Sequence, residues 1–595
     1  MLKKISLLFI LFSFTFYGQN KSKDVNSFTK ELDQKIPKLL KEFMVPGTAI
    51  AMIENGELVL QKAYGYANLS KGEKVTTQTG FNIGSISKTV AAWGIMKLVE
   101  EGKIHLDTPA ENYLTRWKLP ESDFDSKKVT IRRLLSHTAG LSLHGYPGWT
   151  PKDRLSTIEE SLNGRNNGPG RVEMIMEPGT KWKYSGGGYT ILQLIIEEVT
   201  GQKFEDYIQT TVLNPLGMTR SSYKIDETIL KNSSLEHDGF GEQIDFELFT
   251  AQAAAGLHTT IEDFTLFAYA SLFAHKDNKK YNDVLKAKTV EEMMKPALAS
   301  NDSYGLGYQV QNIPNTSYIL KGHGGANTGW HAFFRVNPDT NDGFIMITNG
   351  GSGHNIYTQV FCDWIQWKTG ESMGSRCEVK PSIAGKLKAV IDSEGTNNLT
   401  STYESLKANK SEDYNFSEGI INDLGYYYMR RKETDKAESV FKLNVDQFPE
   451  SSNVYDSYAE ALLENGNKEQ AIVNYKKSVE LNPANTNAVD ILKTLNVDVN
   501  NLPKAFEIDT TKLDDYIGNY QLSADFIVTI SREDDKLIAK PKGQSSLEII
   551  PMSIDKFYVQ EVKAEVTFNR NANGEVESMT LHQNGRDTFG KKLKE

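Results

Sequence analysis

A serine and a lysine three residues apart are the side chains in this sequence best suited to covalent chemistry. A serine hydroxyl is a poor nucleophile until a neighbouring base takes its proton. On a helix, residues three apart lie on the same face, so such a lysine is within reach of the hydroxyl. In a dry site near a helix N-terminus the amine loses its own proton more easily and can act as the base. The pattern Ser-x-x-Lys is therefore a candidate catalyst of acyl transfer.

Context separates one copy of this pattern from the others. It begins at five positions: Ser27, Ser85, Ser221, Ser439 and Ser553. Ser85 opens the stretch SISKTVAAWGIMKLVEEG, in which apolar residues recur at helical spacing and which Gly102 ends. We expect a helix that starts at Ser85 and carries Lys88 one turn later. Lys30 and Lys442 lie in amphipathic stretches, where a solvated charge is the better interpretation.

Two glycine-rich segments could complete a site around Ser85. Tyr184-Ser185-Gly186 precedes an amphipathic helix, and the tyrosine could share or relay the serine's proton. His323-Gly324-Gly325 ends a predicted strand, where missing side chains let a substrate backbone lie along the edge. The next amide, that of Ala326, could join the amide of Ser85 in holding an oxyanion. Taken alone, the tyrosine would more often be a packing residue, and the His-Gly-Gly segment would indicate only a loop.

The order of these three elements resembles the serine β-lactamase and penicillin-binding superfamily, in its class C-like branch. Ser85-x-x-Lys88 matches the first motif of that superfamily, Tyr184-Ser185-Gly186 falls at its Tyr-x-Asn motif, and His323-Gly324-Gly325 at its Lys/His-x-Gly motif. The similarity covers roughly residues 25–370. Supporting phrases are LLSHTAGL (134–141), NPLGMTRS (214–221) and AAAGLHTT (253–260).

The resemblance implies an acyl-enzyme on Ser85, with Lys88 as general base and Tyr184 as proton relay. It implies an oxyanion hole of the Ser85 and Ala326 amides and no cofactor. Two departures bear on the substrate, which Gly186, His323, Gly324 and Gly325 would bind. Gly186 replaces an asparagine that bonds the substrate amide, and His323 replaces the lysine common in β-lactamases. Buried hydrogen bonds of this kind can decide specificity.

The expected function is therefore that of an exported serine hydrolase that cleaves an amide or ester. The substrate could be a D-Ala-containing cell-wall peptide. An esterase or D-aminopeptidase acting on small substrates is the alternative, and a β-lactamase role is less favoured because of Gly186. A slow or non-hydrolytic β-lactam- or peptide-binding sensor is the alternative of another class. In the superfamily His137 is usually part of the scaffold, and we interpret it so here.

Three domains are expected to follow an N-terminal leader. Residues 24–375 should form an α/β hydrolase domain: a helix at 24–43, a hairpin at 47–64 around Asn55-Gly56, a mainly helical 81–213, and strands at 304–350. Strands at both ends favour one antiparallel sheet with helices packed over it.

Residues 386–496 show the sequence periodicity that is typical of tetratricopeptide repeats. Ala437 and Ala471, Phe441 and Tyr475, and Pro449 and Pro483 are each 34 residues apart. Residues 386–420 could supply a degenerate third repeat. The favoured interpretation is a spacer that packs against its neighbours, and the alternative is that the groove of such a stack binds a peptide or protein partner. From 510 to 595 short extended runs recur, which predicts a small β-barrel or sandwich, either ligand-holding or filled.

Composition excludes several classes of function. The chain has 595 residues, of which 39% are hydrophobic and 24% charged, and a formal net charge of −10. An acidic surface repels a phosphate backbone, so nucleic acid is not an expected partner. The sequence has no His-Glu-x-x-His motif, P-loop or Gly-x-Ser-x-Gly elbow, and the histidines show no metal-ligand spacing.

The N-terminus indicates export. Lys3 and Lys4 precede thirteen mostly apolar residues, 5–17, and cleavage is expected near Gly18. The apolar run is shorter than the roughly 20 residues that span a membrane, so no stable insertion is expected after cleavage. The mature chain would be periplasmic or secreted. In such a compartment Cys362 and Cys377 could form a disulfide, and two reduced thiols are the alternative.

Overall fold

The structure, a computed structural model, describes residues 24–150, 154–165, 170–273, 284–503 and 506–593, apart from short gaps at 507, 524–525, 542–545, 560–561, 563 and 584–585. The predicted leader, 1–18, lies outside the described residues. The chain forms two compact units. One comprises Met1–Gly179 with Ser185–Glu378, and the other Thr180–Tyr184 with Val379–Glu595. In the described parts of the chain, no helix is both long and apolar enough to span a bilayer.

The first unit is built on a seven-stranded antiparallel sheet. Its spatial order, β3-β2-β1-β9-β8-β7-β6, places strands from both ends of the unit side by side, which confirms the predicted arrangement. A small two-stranded sheet pairs β4 with β5. The strands are β1 Gly47–Glu54, β2 Glu57–Asn68, β3 Glu73–Lys74, β4 Phe81–Asn82, β5 His258–Thr259, β6 Gln309–Asn312, β7 Ile319–Ala326, β8 His331–Asn337 and β9 Asp342–Thr348.

Helices cover both faces of this sheet. Neighbouring residues of a strand point to opposite faces. Phe333 of β8 packs against Phe361 on one face, and Phe334 packs against Phe264 and Phe267 on the other. The helices are α1 Val25–Glu42, α2 Ser87–Glu100, α3 Ile131–Leu135, α4 Ile158–Leu162, α5 Gly186–Thr200, α6 Phe204–Ile208, α7 Glu227–Asn232, α8 Gln252–Ala255, α9 Ile261–Phe273, α10 Ala287–Met294 and α11 Gly353–Thr369.

Two of these helices lie inside the unit. Nearly all of α2 is buried from Ser87 to Leu98, and α5 is buried from Gly186 to Ile196. A helix that is apolar on every side is stable only when it is surrounded by other elements. Both helices therefore have their N-termini fixed by the core, and these N-termini carry two of the predicted motifs.

The two cysteines are paired. Cys362 of α11 is joined to Cys377, the last residue of a 3₁₀ turn at Gly374–Cys377. The disulfide closes a loop with a sequence separation of 15. Such a loop contributes about 3 kcal/mol to stability in the chain-entropy description. Of the two alternatives that the sequence left open, the structure has the disulfide.

The second unit holds a run of helices and a barrel. The small residues Ala437 and Ala471 are fully buried, so neighbouring helices approach closely there. Consecutive helices such as α14 and α15, and α16 and α17, pack against each other, while their assignment as tetratricopeptide repeats stays a prediction. They are α12 Ala384–Glu394, α13 Leu399–Lys410, α14 Glu418–Arg430, α15 Thr434–Gln447, α16 Ser452–Glu464, α17 Lys468–Leu481 and α18 Thr486–Thr494.

The C-terminal strands close into an eight-stranded barrel. The rings of Tyr516, Tyr520, Phe557 and Phe568 are buried and in mutual contact, so aromatic side chains fill its core. The filled barrel is therefore the correct alternative. The strands are β10 Gly518–Gln521, β11 Ile527–Glu533, β12 Lys536–Pro541, β13 Leu547–Pro551, β14 Lys556–Val559, β15 Ala564–Arg570, β16 Val576–Gln583 and β17 Arg586–Lys592.

Candidate active site

Ser85 lies in a tight turn directly before α2. The expectation that the α-helix begins at Ser85 is wrong by two residues, because Gly84–Ile86 form a 3₁₀ turn and the α-helix begins at Ser87. The cause is local. The Ser87 hydroxyl donates to the Gly84 carbonyl at 2.6 Å and accepts from the Leu257 amide at 2.9 Å. Ser85 is thereby held at the entrance of the helix, next to a positive φ of 52° at Gly84.

Lys88 faces the Ser85 hydroxyl from the first turn of α2. Its Nζ lies 3.1 Å from Ser85 Oγ and donates to the Ala254 carbonyl at 2.7 Å. The residue is only 2% exposed. Burial lowers the pKa of its amine from 10.5 to about 7. A large fraction of Lys88 is therefore neutral at physiological pH, which is the state that can take a proton from a hydroxyl.

The amides of Ser85 and Ala326 lie beside each other at the end of β7. A Cβ atom built at Gly84 would come within 2.6 Å of the Ala326 nitrogen. One built at Gly325 would lie 1.9 Å from the Ile83 carbonyl oxygen and 3.2 Å from the Ser85 nitrogen. The strand and the turn can approach this closely only because both positions are glycine. The predicted pair of oxyanion donors is thus brought together.

Two asparagine side chains connect the turn before Ser85 to the turn after Ala326, and neither belongs to a motif that the sequence shows. Asn82 Oδ1 accepts from the Gly84 amide at 2.7 Å and from Asn327 Nδ2 at 2.7 Å. Asn82 Nδ2 donates to the Ala255 carbonyl at 3.1 Å. One carbonyl oxygen therefore links the turn before Ser85 to the residue after Ala326. Nothing in the motif spacing marks Asn82, since its partner lies 245 residues away.

The two histidines near the site are buried and uncharged. His323 is 1% exposed, and its Nε2 lies 3.0 Å from the Tyr304 hydroxyl. Burial lowers the pKa of His323 to about 3, and the pKa of His137 falls well below 6.5 for the same reason. His137 Nδ1 accepts from the Ser185 amide at 3.1 Å, which matches its expected scaffold role. Contact between the His323 ring and a substrate stays a prediction.

Gly186 begins α5, and a loop lies against it. The Gly186 amide donates to the His144 carbonyl at 3.0 Å, and the Ser185 hydroxyl caps the helix through the Gly188 amide at 3.0 Å. A Cβ at Gly186 would lie 3.0 Å from that same His144 oxygen. Tyr184, two residues before Gly186, belongs to the Thr180–Tyr184 segment of the second unit. Its role as proton relay stays a prediction.

The Ser85 and Lys88 side chains and the two amides are supplied by the chain itself. Among the residues that the structure describes, no group of three His, Cys, Asp or Glu side chains could hold a metal ion.

Comparison with known proteins agrees with this geometry. The family described as Beta-lactamase matches residues 32–357, which is more than half of the chain and includes every residue of the site. The chain belongs to the Beta-lactamase family. It is a β-lactamase- and penicillin-binding-protein-like chain. A second match, to a domain of unknown function (DUF3471), covers residues 502–592 and thus the barrel.

Curated relatives are similar to this chain over part of their sequences. Protein flp of Staphylococcus aureus (strain MRSA252) is 26% identical over 347 residues, which is 54% of this chain and 63% of flp. Putative penicillin-binding protein PbpX of Bacillus subtilis (strain 168) is 29% identical over 288 residues, 47% of this chain and 66% of PbpX. The chain therefore covers less than two thirds of either relative. The solved structure described as "Crystal structure of SurE" is 18% identical, with a TM-score of 0.49 over 96% of this chain and 99% of that one.

Restoring the superfamily's asparagine by Gly186→Asn should destabilise the protein without creating a β-lactamase. The new Cβ would press on the His144 carbonyl, and overpacking of this kind costs roughly 1–3 kcal/mol. Gly188→Ala is the matched control in the same turn, because its Cβ would meet only ordinary contacts from 3.6 Å outward. We expect a lower melting temperature for Gly186→Asn alone, and no gain in nitrocefin hydrolysis. A stable variant that hydrolyses nitrocefin faster would contradict this prediction.

Proposed function

We propose that this protein is a serine hydrolase that forms an acyl-enzyme on Ser85. The observation that supports this most strongly is the 3.1 Å contact between the Ser85 hydroxyl and a nearly fully buried lysine amine. Burial lowers the pKa of that amine to about 7. A large fraction of Lys88 is therefore already neutral near pH 7 and can accept the proton of the Ser85 hydroxyl.

The proposed reaction has two halves. Ser85 Oγ attacks the substrate carbonyl carbon while its proton passes to Lys88 Nζ, and the amides of Ser85 and Ala326 hold the negative oxygen. The tetrahedral species then expels the leaving amine or alcohol, which takes a proton from Lys88, directly or through Tyr184. Water attacks the acyl-enzyme with the same groups acting in reverse, and the free acid leaves.

The substrate that we favour is a D-Ala-containing cell-wall peptide. PbpX, a relative with 29% identity, carries the name of a putative penicillin-binding protein. Gly186 removes the side chain that would bond the substrate amide, which leaves an esterase or D-aminopeptidase as the alternative. We further propose that the protein is exported, on the strength of its N-terminal sequence, and that the helices of the second unit bind a protein partner.

Labelling with a fluorophosphonate probe tests the proposed catalyst without knowledge of the substrate. The Ser85 oxygen would displace fluoride from phosphorus, and its proton would pass to Lys88. We expect labelling of the wild type at Ser85 and none of Ser85→Ala. Equal labelling of both proteins would place the nucleophile elsewhere.

Three substrates then separate the candidate activities. Comparison of p-nitrophenyl acetate, a D-alanyl amide and an acyl-D-Ala-D-Ala peptide distinguishes esterase, aminopeptidase and carboxypeptidase. Stoichiometric labelling by fluorescent penicillin with negligible turnover of all three would favour the slow sensor.

A further inference from the structure

Two acidic side chains hold the turn that follows Ala326. The β7–β8 turn runs from Asn327 to Trp330 and is closed by the Asn327 amide, which donates to the Trp330 carbonyl at 2.9 Å. The amides of the two central residues of the turn, Thr328 and Gly329, donate to side chains. The Gly329 amide donates to Glu236 Oε1 at 2.9 Å, and the Thr328 amide donates to Glu247 at 3.3 Å. Each inner amide of the turn is therefore bound by a carboxyl group.

The Glu236 carboxyl group is also bonded to the backbone of Glu247. Glu236 Oε2 accepts from the Glu247 backbone amide at 3.0 Å, and the Glu247 carboxyl accepts from the Thr328 hydroxyl at 2.6 Å. Gly148 lies flat against the Glu247 side chain, where a Cβ would be 2.5 Å from its Cβ and Cδ atoms. The two residues thus form one brace between the segment at 236–247 and the β7–β8 turn.

The brace is connected to Ser85 through short links. Asn327, inside the turn, donates to Asn82, which in turn accepts from the Gly84 amide. Trp330, at the end of the turn, packs edge-on against Phe81, the neighbour of Asn82, at 6.1 Å between ring centroids. A shift of the turn would therefore move both the Ala326 amide and the support of the Ser85 turn. Displacement by about 1 Å in such a site can cost roughly 10²-fold in rate.

The brace holds an unusual charge arrangement. Glu236 is 1% exposed, and burial together with the neighbouring Glu247 raises its pKa well above 4.5. The imidazoles nearby add no positive charge, because burial lowers the pKa of His237 and His258. The other titratable groups of the same segment are Asp238 and Glu242, which act on His237, and Asp245. Ionisation of Glu236 would put a negative charge beside the Glu247 carboxyl group, and the two charges repel each other.

We propose that Glu236 and Glu247 are positioning residues for the Ala326 amide, and that mutual repulsion of their carboxyl groups loosens the turn at alkaline pH. This inference rests on the proposed acyl-transfer role of Ser85. The bonds to Thr328 and Gly329 fix the end of β7 at neutral pH. At alkaline pH the two carboxylates repel each other, the turn loosens, and acylation of Ser85 slows.

Two variants at Glu247 separate positioning from mere structural support. Glu247→Gln keeps both bonds, because its carbonyl can accept from the Thr328 amide and its amide can donate to the Thr328 hydroxyl. Glu247→Gln does remove the negative charge that opposes ionisation of the Glu236 carboxyl group. Glu247→Ala removes the bonds as well. The measurement is the rate of Ser85 labelling by the fluorophosphonate probe, resolved into kinact and KI, on the full chain between about pH 6 and pH 10.

We expect Glu247→Gln to label within about threefold of wild type at neutral pH and to lose the wild-type decline at alkaline pH. Glu247→Ala should lower kinact about tenfold while KI stays within about twofold. An unchanged alkaline decline in Glu247→Gln, or an unchanged kinact in Glu247→Ala, would overturn the inference. If Glu247→Ala does not fold, the pH profile of Glu247→Gln decides alone. Absence of wild-type labelling at Ser85 would instead refute the proposed function.

Discussion

Lys88→Met should lower the rate of Ser85 labelling, and of ester hydrolysis, by about 10³-fold. Methionine fills nearly the same volume as lysine but has no amine, so the proton of the Ser85 hydroxyl loses its acceptor at 3.1 Å. The substitution also removes a donor from the Ala254 carbonyl, which costs roughly 1–3 kcal/mol if no water replaces it. Circular dichroism and the melting temperature separate this loss of stability from the loss of rate.

Lys97→Ala is the matched control for Lys88→Met, because Lys97 lies on the same helix in its last turn. We expect its labelling rate to stay within about twofold of wild type. A Lys88→Met protein that is folded and labels at the wild-type rate would exclude lysine as the base.

The pH dependence of wild-type labelling follows from the same amine. Only the neutral form of Lys88 can accept a proton, and burial lowers the pKa of that amine to about 7. The labelling rate should therefore rise with pH through about 7 rather than through the ordinary lysine range near 10.5. In Lys88→Met this rise should be absent, which attributes it to Lys88 and not to a histidine.

The catalytic pair could be predicted from the sequence because it is a local feature. Ser85 and Lys88 lie within one helical turn, so their spacing alone puts the side chains together. The long antiparallel sheet was also predictable, since alternation and turn residues mark its strands. The start of α2 was misplaced because Ser87 binds the Leu257 amide, a partner 170 residues away. Contacts at such distances leave no periodic signal in one sequence.

The remaining parts of the site could not be predicted for the same reason. Asn82 ends the short strand β4 and Glu236 lies in a loop; neither belongs to a motif, and their importance comes from the amides that the fold brings to them. Cys362 and Cys377 were left open because an apolar sequence context fits a buried thiol as well as a disulfide. For the barrel, regular strand spacing predicted the strands but not the aromatic rings that fill the interior.

Gly325→Ala should cost at least about 100-fold in the rate of Ser85 acylation. The added Cβ would lie 1.9 Å from the Ile83 carbonyl oxygen and 2.9 Å from its carbon, both backbone atoms that cannot rotate away. Strand β7 and the Ser85 turn must therefore separate, and the amides of Ser85 and Ala326 can no longer converge on one oxygen. Loss of a single oxyanion donor costs roughly 10²–10³-fold in kcat.

Gly324→Ala, one residue earlier on the same strand, provides the control, because p-nitrophenyl acetate has no peptide backbone that could bind along this strand edge. Its Cβ would meet nothing closer than Phe333 Cδ2 at 3.9 Å, so the strand need not move. Both variants replace glycine by alanine and so restrict the backbone in the same way. A difference in rate between them therefore comes from the close contact between Gly325 and the Ile83 carbonyl. We expect kcat for p-nitrophenyl acetate to fall in Gly325→Ala alone, with both proteins folded by circular dichroism. Equal rates in the two variants would show that the amides of Ser85 and Ala326 do not act together, and the oxyanion hole would have to be sought elsewhere.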